Sequence, residues 1–132
     1  MPARFDHVTI SASDFAASLR FYDAALAPLG LARLHELGDE EEDEAAVEAA
    51  AFGPVDGRPV VWLVSGPAPT RAAHLALRAD RRDDVERFHA AALGSGGSSR
   101  SAPRRWPIYR RGDFNALVAD PDGNLIEAVS GE

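Results

Sequence analysis

The chain has 132 residues, 45% of them hydrophobic and 27% charged, with no cysteine and a formal net charge of −7. That is enough chain for one domain with its own core, too acidic for a nucleic-acid surface, and without thiols for disulfides, thiolate metal sites or nucleophiles. No apolar run approaches the ~20 residues of a membrane span, and Met1-Pro2-Ala3-Arg4 reads into a strand rather than an export signal, so a cytoplasmic protein with no membrane partner is expected.

Residues 5–11 alternate Val8 and Ile10 against His7 and Thr9, the period of a half-buried strand. Ser13 or Asp14 then caps a helix over 14–26, where Phe15, Leu19, Tyr22 and Leu26 recur at three- and four-residue steps until Pro28 and Gly30 stop it. Strands are predicted over 31–37, over 46–52 beyond the acidic run Asp39-Glu40-Glu41-Glu42-Asp43-Glu44, and over 59–65 after the Asp56-Gly57 turn. Six adjacent carboxylates repel one another, so that run reads as a solvated loop. A second set follows: a strand over 72–79, a helix over 81–93 capped by Asp80, a Gly/Ser-rich loop over 94–99 and a weak strand near Arg100. It closes with a hairpin of 114–119 and 124–130 turned by Asp120-Pro121-Asp122-Gly123.

The two sets are copies. His7 to Leu26 laid on His74 to Leu93 matches His on His, Arg20 on Arg87, Phe21 on Phe88 and Leu26 on Leu93 without a gap. A second register superposes Val61-Trp62-Leu63-Val64-Ser65-Gly66 on Ile126-Glu127-Ala128-Val129-Ser130-Gly131, which puts Trp62 in the slot of Glu127. The fold class expected is therefore α+β: two repeated βαβββ modules whose curved sheets enclose a cavity for a metal and a substrate. Module one spans residues 1–66, the linker 67–70 and module two 71–132 of a single domain.

Strand parity says where the polar residues point. If Val8 and Ile10 cover the helix side, His7 and Thr9 face away from it, as do His74, Ala76 and Arg78 beside Leu75 and Leu77. Trp62 and Glu127 lie on one face of their strands by the same rule, so His7, His74 and Glu127 are candidates to converge. A lone strand histidine is more often a hydrogen-bonded structural one; its matched placement in both copies favours a metal site, a metal-free descendant with relic ligands being the alternative. His89 falls at the position of Tyr22 in the first copy and reads as packing, while the parity of His35 is open.

The duplication, the histidine opening each copy and the ending Asp120-Pro121-Asp122-Gly123-Asn124-Leu125-Ile126-Glu127-Ala128-Val129 resemble the vicinal oxygen chelate superfamily over the whole chain. That superfamily groups glyoxalase I, bleomycin-resistance proteins, fosfomycin-resistance transferases and extradiol dioxygenases. The resemblance implies His7, His74 and Glu127 as ligands of a divalent ion (Fe, Mn, Zn or Ni), and a homodimer in which one chain donates His7 and its partner His74 with Glu127. It also implies a glutamate at the Trp62 position in glyoxalase I, so glyoxalase I activity is not expected here.

Two imidazoles and a carboxylate on one side of an ion leave positions open for a small molecule with neighbouring oxygens. Thr9, Trp62 and Arg78 are expected to wall its cavity. In the superfamily the segment before the last hairpin lines the cavity mouth, which brings in Tyr109, a candidate catalytic donor, and Arg110. No acid-base residue is otherwise identified. The expected function is a metal-dependent lyase, isomerase, thiol transferase or ring-cleaving dioxygenase; the alternative is a protein that sequesters a drug or metabolite without turnover.

Overall fold

The computed structural model describes residues 1–37, 48–106 and 112–131. Its first half runs β1 (Val8–Ala12), α1 (Phe15–Leu26), β2 (Ala32–Leu37), β3 (Ala49–Gly53) and β4 (Val61–Ser65), forming a sheet in the order β1-β4-β3-β2. Its second half runs β5 (His74–Arg78), α2 (Arg82–Leu93), β6 (Ser98–Arg105), β7 (Phe114–Ala119) and β8 (Leu125–Ser130), forming a sheet in the order β5-β8-β7-β6. The repeated βαβββ architecture is thus present, as two four-stranded sheets that do not join into a closed barrel.

The strand register carries the repeat down to single residues. β1 lies parallel to β4 with Thr9 opposite Trp62, and β5 lies parallel to β8 with Ala76 opposite Glu127. Trp62 therefore occupies in the first sheet the lattice point that Glu127 occupies in the second.

Each helix forms where its apolar stripe can be covered. In α1, Phe15, Phe21, Tyr22, Ala25 and Leu26 are buried, and Asp14 Oδ1 caps the first turn by accepting from the Ala17 amide at 3.1 Å. Gly30, at φ +79°, ends the short 3-10 turn Ala27–Leu29 that contains Pro28. The second helix departs from expectation: Asp80 does not cap it. Arg81 occupies the cap position in an extended conformation with no side-chain hydrogen bond, and Asp83 and Asp84 supply the negative charge that a helix N-terminus favours. α1 and α2 pack against each other, and Phe21, Tyr22, Phe52, Phe88, Ile10, Leu63 and Ile126 belong to one buried cluster drawn from both halves.

Strand limits also shifted. β1 starts at Val8 instead of residue 5, leaving Phe5 97% exposed. The weak strand near Arg100 is eight residues long, because pairing with β7 along a sheet edge sets it rather than side-chain pattern. The acidic run 39–44 and the start of the strand expected over 46–52 lie outside the described residues. Among the described residues no helix is long and apolar enough to cross a membrane.

The Asp-Pro-Asp-Gly-Asn turn joins the halves. Asp120 accepts the amides of Asp122 and Asn124 at 2.9 Å each, and the Tyr22 hydroxyl of α1 donates to it at 2.5 Å. Asn124, fully buried, donates to Asp120 at 2.9 Å and to the Thr70 carbonyl at 2.8 Å, and accepts from the Ala73 amide at 3.0 Å. Asp122 accepts from the Ser13 amide at 3.1 Å and from its hydroxyl at 2.5 Å. Burial, then the charge of Asp120, pushes the Tyr22 hydroxyl pKa up.

Tyr22→Phe should cost about 2 kcal/mol in urea unfolding, since a buried bond to a charged acceptor is lost. Because the folded state holds the phenol neutral while the unfolded phenol ionises near pH 10, this contribution is whole below about pH 10 and lost as pH rises beyond it. Unfolding curves from pH 8 to 11 should fall more steeply for the parent than for Tyr22→Phe.

Candidate functional site

Laterally paired residues of a sheet share a face. With Ile10, Leu63, Ile126 and Ala128 turned into the core, the other face of each sheet is left open. On the first sheet one row of that face runs Thr9, Trp62, Ala51, His35, which settles the parity of His35: it stands on the face of Trp62. On the second sheet the equivalent row runs Ala76, Glu127, Leu117, Ser101, and the next runs Arg78, Val129, Asn115, Arg104.

The second sheet's open face floors a cavity of about 760 Å³ bordered by His74, Glu127, Asn115, Arg100, Arg104 and Trp106. On its wall the Glu127 carboxylate, 16% exposed, has a partner for each oxygen. His74 Nε2 lies 2.9 Å from Oε1 and Asn115 Nδ2 donates to Oε2 at 2.9 Å. Arg104 sits with its guanidinium carbon 3.7 Å from the centre of the Trp106 ring. Two of the residues that line this space each carry a buried polar atom without a hydrogen-bond partner, Asn115 Oδ1 and Trp106 Nε1.

His7 stands elsewhere in the chain. Its Nδ1 lies 2.7 Å from Asp6 Oδ1, and the Arg58 guanidinium is 3.2 Å from the other oxygen of Asp6. The His7 hydrogen bond, then the charge of Arg58, holds the Asp6 carboxyl below the usual carboxylate range. His7 and His74 both border a second cavity of about 530 Å³, where the edge strands β1 and β5 approach each other. Within one chain the structure thus brings together two of the three expected ligands. Among the described residues no group of three or more His, Cys, Asp or Glu is placed to hold an ion.

The expected substrate contacts divide in the same way. Thr9 and Trp62 are neighbours on the open face of the first sheet and border neither of these cavities; Arg78 shares a row with Asn115 without being part of the cavity wall. Tyr109 and Arg110 lie outside the described residues. His89, on α2, meets the Ser99 hydroxyl at 2.8 Å, and burial lowers its pKa.

Sequence reasoning missed Asn115 and Arg100 as cavity residues, while Arg104 and Trp106 belong to the segment before the last hairpin that the superfamily resemblance assigns to the cavity mouth. Asn115 was within reach: the turn at 120–123 sets Leu117 opposite Glu127, so Asn115 falls on the same face two residues away. Arg100 gave no signal, because a bulge between Ser99 and Ser101 sets its direction and β6 has no alternation to read.

A family model described as the Glyoxalase/Bleomycin resistance protein/Dioxygenase superfamily matches residues 4–128. Comparison with curated proteins gives no match. Among solved structures, a glyoxalase/bleomycin resistance protein from Albidiferax ferrireducens T118 superposes with a TM-score of 0.73 at 23% identity, over 96% of this chain and 97% of that one. A glyoxylase/bleomycin resistance protein/dioxygenase domain from Frankia sp. EAN1pec gives 0.72 at 16% identity over 100% of both. Glyoxalase I from Zea mays gives 0.67 at 21% identity over 95% of this chain but 45% of its own, so the chain spans about half that enzyme's length. At these identities the likeness shows the fold alone.

Asn115→Ala removes the partner of Glu127 Oε2, and thermal unfolding should register a loss of about 1–2 kcal/mol. Asn115→Asp should cost more at neutral pH than at pH 4, because it sets a second carboxylate against Glu127.

Proposed function

The chain belongs to the glyoxalase/bleomycin resistance protein/dioxygenase superfamily, and on that premise we propose that it is a small-molecule enzyme whose divalent ion is held by His74 and Glu127 of one chain and His7 of a second copy. The observation that carries this reading is the 2.9 Å approach of His74 Nε2 to Glu127 Oε1 inside a cavity of about 760 Å³. A ring nitrogen and a carboxylate oxygen already meet at one point there. An ion replacing the shared proton would take both as ligands, with Asn115 as the outer partner that orients a ligating carboxylate. His7 suits the same role: Asp6 engages its Nδ1, which leaves Nε2 for an ion in the carboxylate–histidine–metal pattern.

Two imidazoles and one carboxylate accept Fe, Mn, Zn or Ni. The chemistry supplied there is Lewis acidity toward two neighbouring oxygens of a substrate, consistent with a lyase, isomerase, thiol transferase or ring-cleaving dioxygenase. A homodimer follows from the requirement for His7: the open face of one copy's first sheet, with Thr9 and Trp62, would roof the open face of the other's second sheet, with Arg78. Tyr109 and Arg110 are assigned to the cavity mouth by the superfamily resemblance alone.

Equilibrium dialysis followed by metal analysis tests the ion. His7→Ala, His74→Ala and Glu127→Ala should each weaken binding about 100-fold or more while circular dichroism stays unchanged. Mixing His7→Ala with Glu127→Ala should restore part of the binding, since a mixed dimer keeps one intact site. Parent protein that binds no Fe, Mn, Zn or Ni would overturn the reading. The second reading, a metal-free binding protein, would then stand; what favours it is that both oxygens of Glu127 are already satisfied by His74 and Asn115.

The register of Trp62 against Thr9 generates a further expectation. With an indole where a second carboxylate would stand to move the substrate proton, the parent should not measurably isomerise the glutathione hemithioacetal of methylglyoxal. Trp62→Glu should lower stability by about 3 kcal/mol and tighten metal binding before activity appears. Brisk isomerisation by the parent would contradict the assignment of position 62.

A further inference from the structure

We propose that Ala72, a linker residue held in the left-handed region, is the positioning residue that aims His74 at Glu127. This rests on the reading of His74 as a ligand and adds what sets its direction.

Among the described residues Ala72, at φ +60°, is the one residue other than glycine with a positive φ. An L side chain disfavours that conformation, which persists only where the surroundings over-determine it. The Ala72 side chain is exposed, so packing of its own methyl does not hold it there. Hydrogen bonds on either side do. Thr70 is tied to β1: its amide donates to the Ser11 carbonyl at 2.8 Å, and its hydroxyl oxygen accepts from the Ser11 amide at 2.9 Å. The Thr70 carbonyl accepts from Asn124 Nδ2 at 2.8 Å, and Oδ1 of the same fully buried side chain accepts from the Ala73 amide at 3.0 Å. The Ala73 carbonyl accepts from the Leu125 amide at 2.8 Å. One amide side chain therefore holds the backbone on both sides of Arg71 and Ala72. The chain has those two residues in which to leave β1 and enter β5, and a left-handed residue makes the turn.

His74 follows directly. It is the first residue of β5, paired with Leu125, and its ring reaches Glu127 at 2.9 Å. With Ala72 on the ordinary negative side of φ, the Ala73 amide and carbonyl turn away from Asn124 and Leu125, and the start of β5 loses the bonds that fix its register against β8. A slip of one residue would put Leu75 and Leu77 where His74 and Ala76 stand, and the open face would lose its imidazole. β5 is paired on one side only, so no second neighbour corrects the slip. Strain of this kind collects where position matters, and here it falls two residues before a histidine of the cavity.

The test compares three substitutions in the intact chain. Ala72→Gly and Ala72→Asn accept a positive φ, and should raise the thermal unfolding midpoint by about 2–4 °C while zinc affinity in equilibrium dialysis stays within about twofold of the parent. Ala72→Val, whose branched side chain resists a positive φ, should weaken zinc binding about tenfold or more. The second readout needs no metal. At a pH where the ring is neutral, the 15N resonances of the His74 imidazole, identified with His74→Gln, should place the proton on Nε2 in the parent and in the Gly and Asn variants. In Ala72→Val they should report a mixture of both ring tautomers with circular dichroism unchanged, a change that lowered stability alone does not produce. If Ala72→Val does not fold, Ala72→Leu carries the same comparison.

The inference is overturned if Val and Leu variants keep the parent's ring signature, or if the Gly and Asn variants gain no stability. Its failure is separable from that of the metal reading. Parent protein that takes up none of Fe, Mn, Zn or Ni ends the metal reading, and the His74 resonances of the metal-free protein still decide whether Ala72 aims the ring.

Discussion

The Asp120 carboxylate is the point on which the architecture turns. A turn of this kind needs an acceptor for the amides that its tight backbone leaves unpaired, and Asp120 takes those of Asp122 and Asn124. It then does a second job by accepting the Tyr22 hydroxyl from a helix of the other half. A buried carboxylate with four donors, Asn124 Nδ2 being the fourth, is tolerable in a core; the same group with its donors removed is not. The hairpin carrying Glu127 and Asn115 is therefore fixed to the first helix by the same group that shapes its turn. The relative position of the two open sheet faces depends on that contact.

The duplicated halves have come to differ in what their open faces carry. On the first sheet the central row is Thr9, Trp62, Ala51 and His35; on the second, Ala76, Glu127, Leu117 and Ser101. One face presents a large aromatic, the other a hydrogen-bonded carboxylate flanked by arginines. Such a pair is suited to a roof and a floor, with the polar chemistry concentrated on the floor. Asymmetry at one lattice point, Trp62 against Glu127, is what separates this chain from a site with equal contributions from both copies.

Much of this was legible before any coordinates. The repeat and the α+β class followed from period and parity, because strand side chains alternate strictly; parity also made His7, His74 and Glu127 candidates to converge, and within one chain His74 and Glu127 meet. What was not legible had local physical causes. Asp80 has the right side chain for a helix cap, yet the chain extends one residue further before turning, and the negative charge is supplied from within the first turn. β6 lacks alternation because its edge position and two register shifts, between Ser99 and Ser101 and between Ser101 and Arg104, decouple side-chain pattern from pairing. His7 lies just before β1, outside the paired residues, and its partner in the chain is the adjacent Asp6, a contact of sequence neighbours that no face-based argument weighs.

Those shifts in β6 also bear on what can add to the edge of the second sheet. An outermost strand with evenly spaced free amides is a template on which further strands can add, and long flat edges lead to fibres. β6 is broken by two irregularities, carries Pro103 with no amide to offer, and bears Arg100, Arg104 and Arg105 along its length. A strand from a neighbouring molecule finds neither a continuous ladder nor a neutral surface there. Growth by edge addition is therefore disfavoured on that side of the sheet.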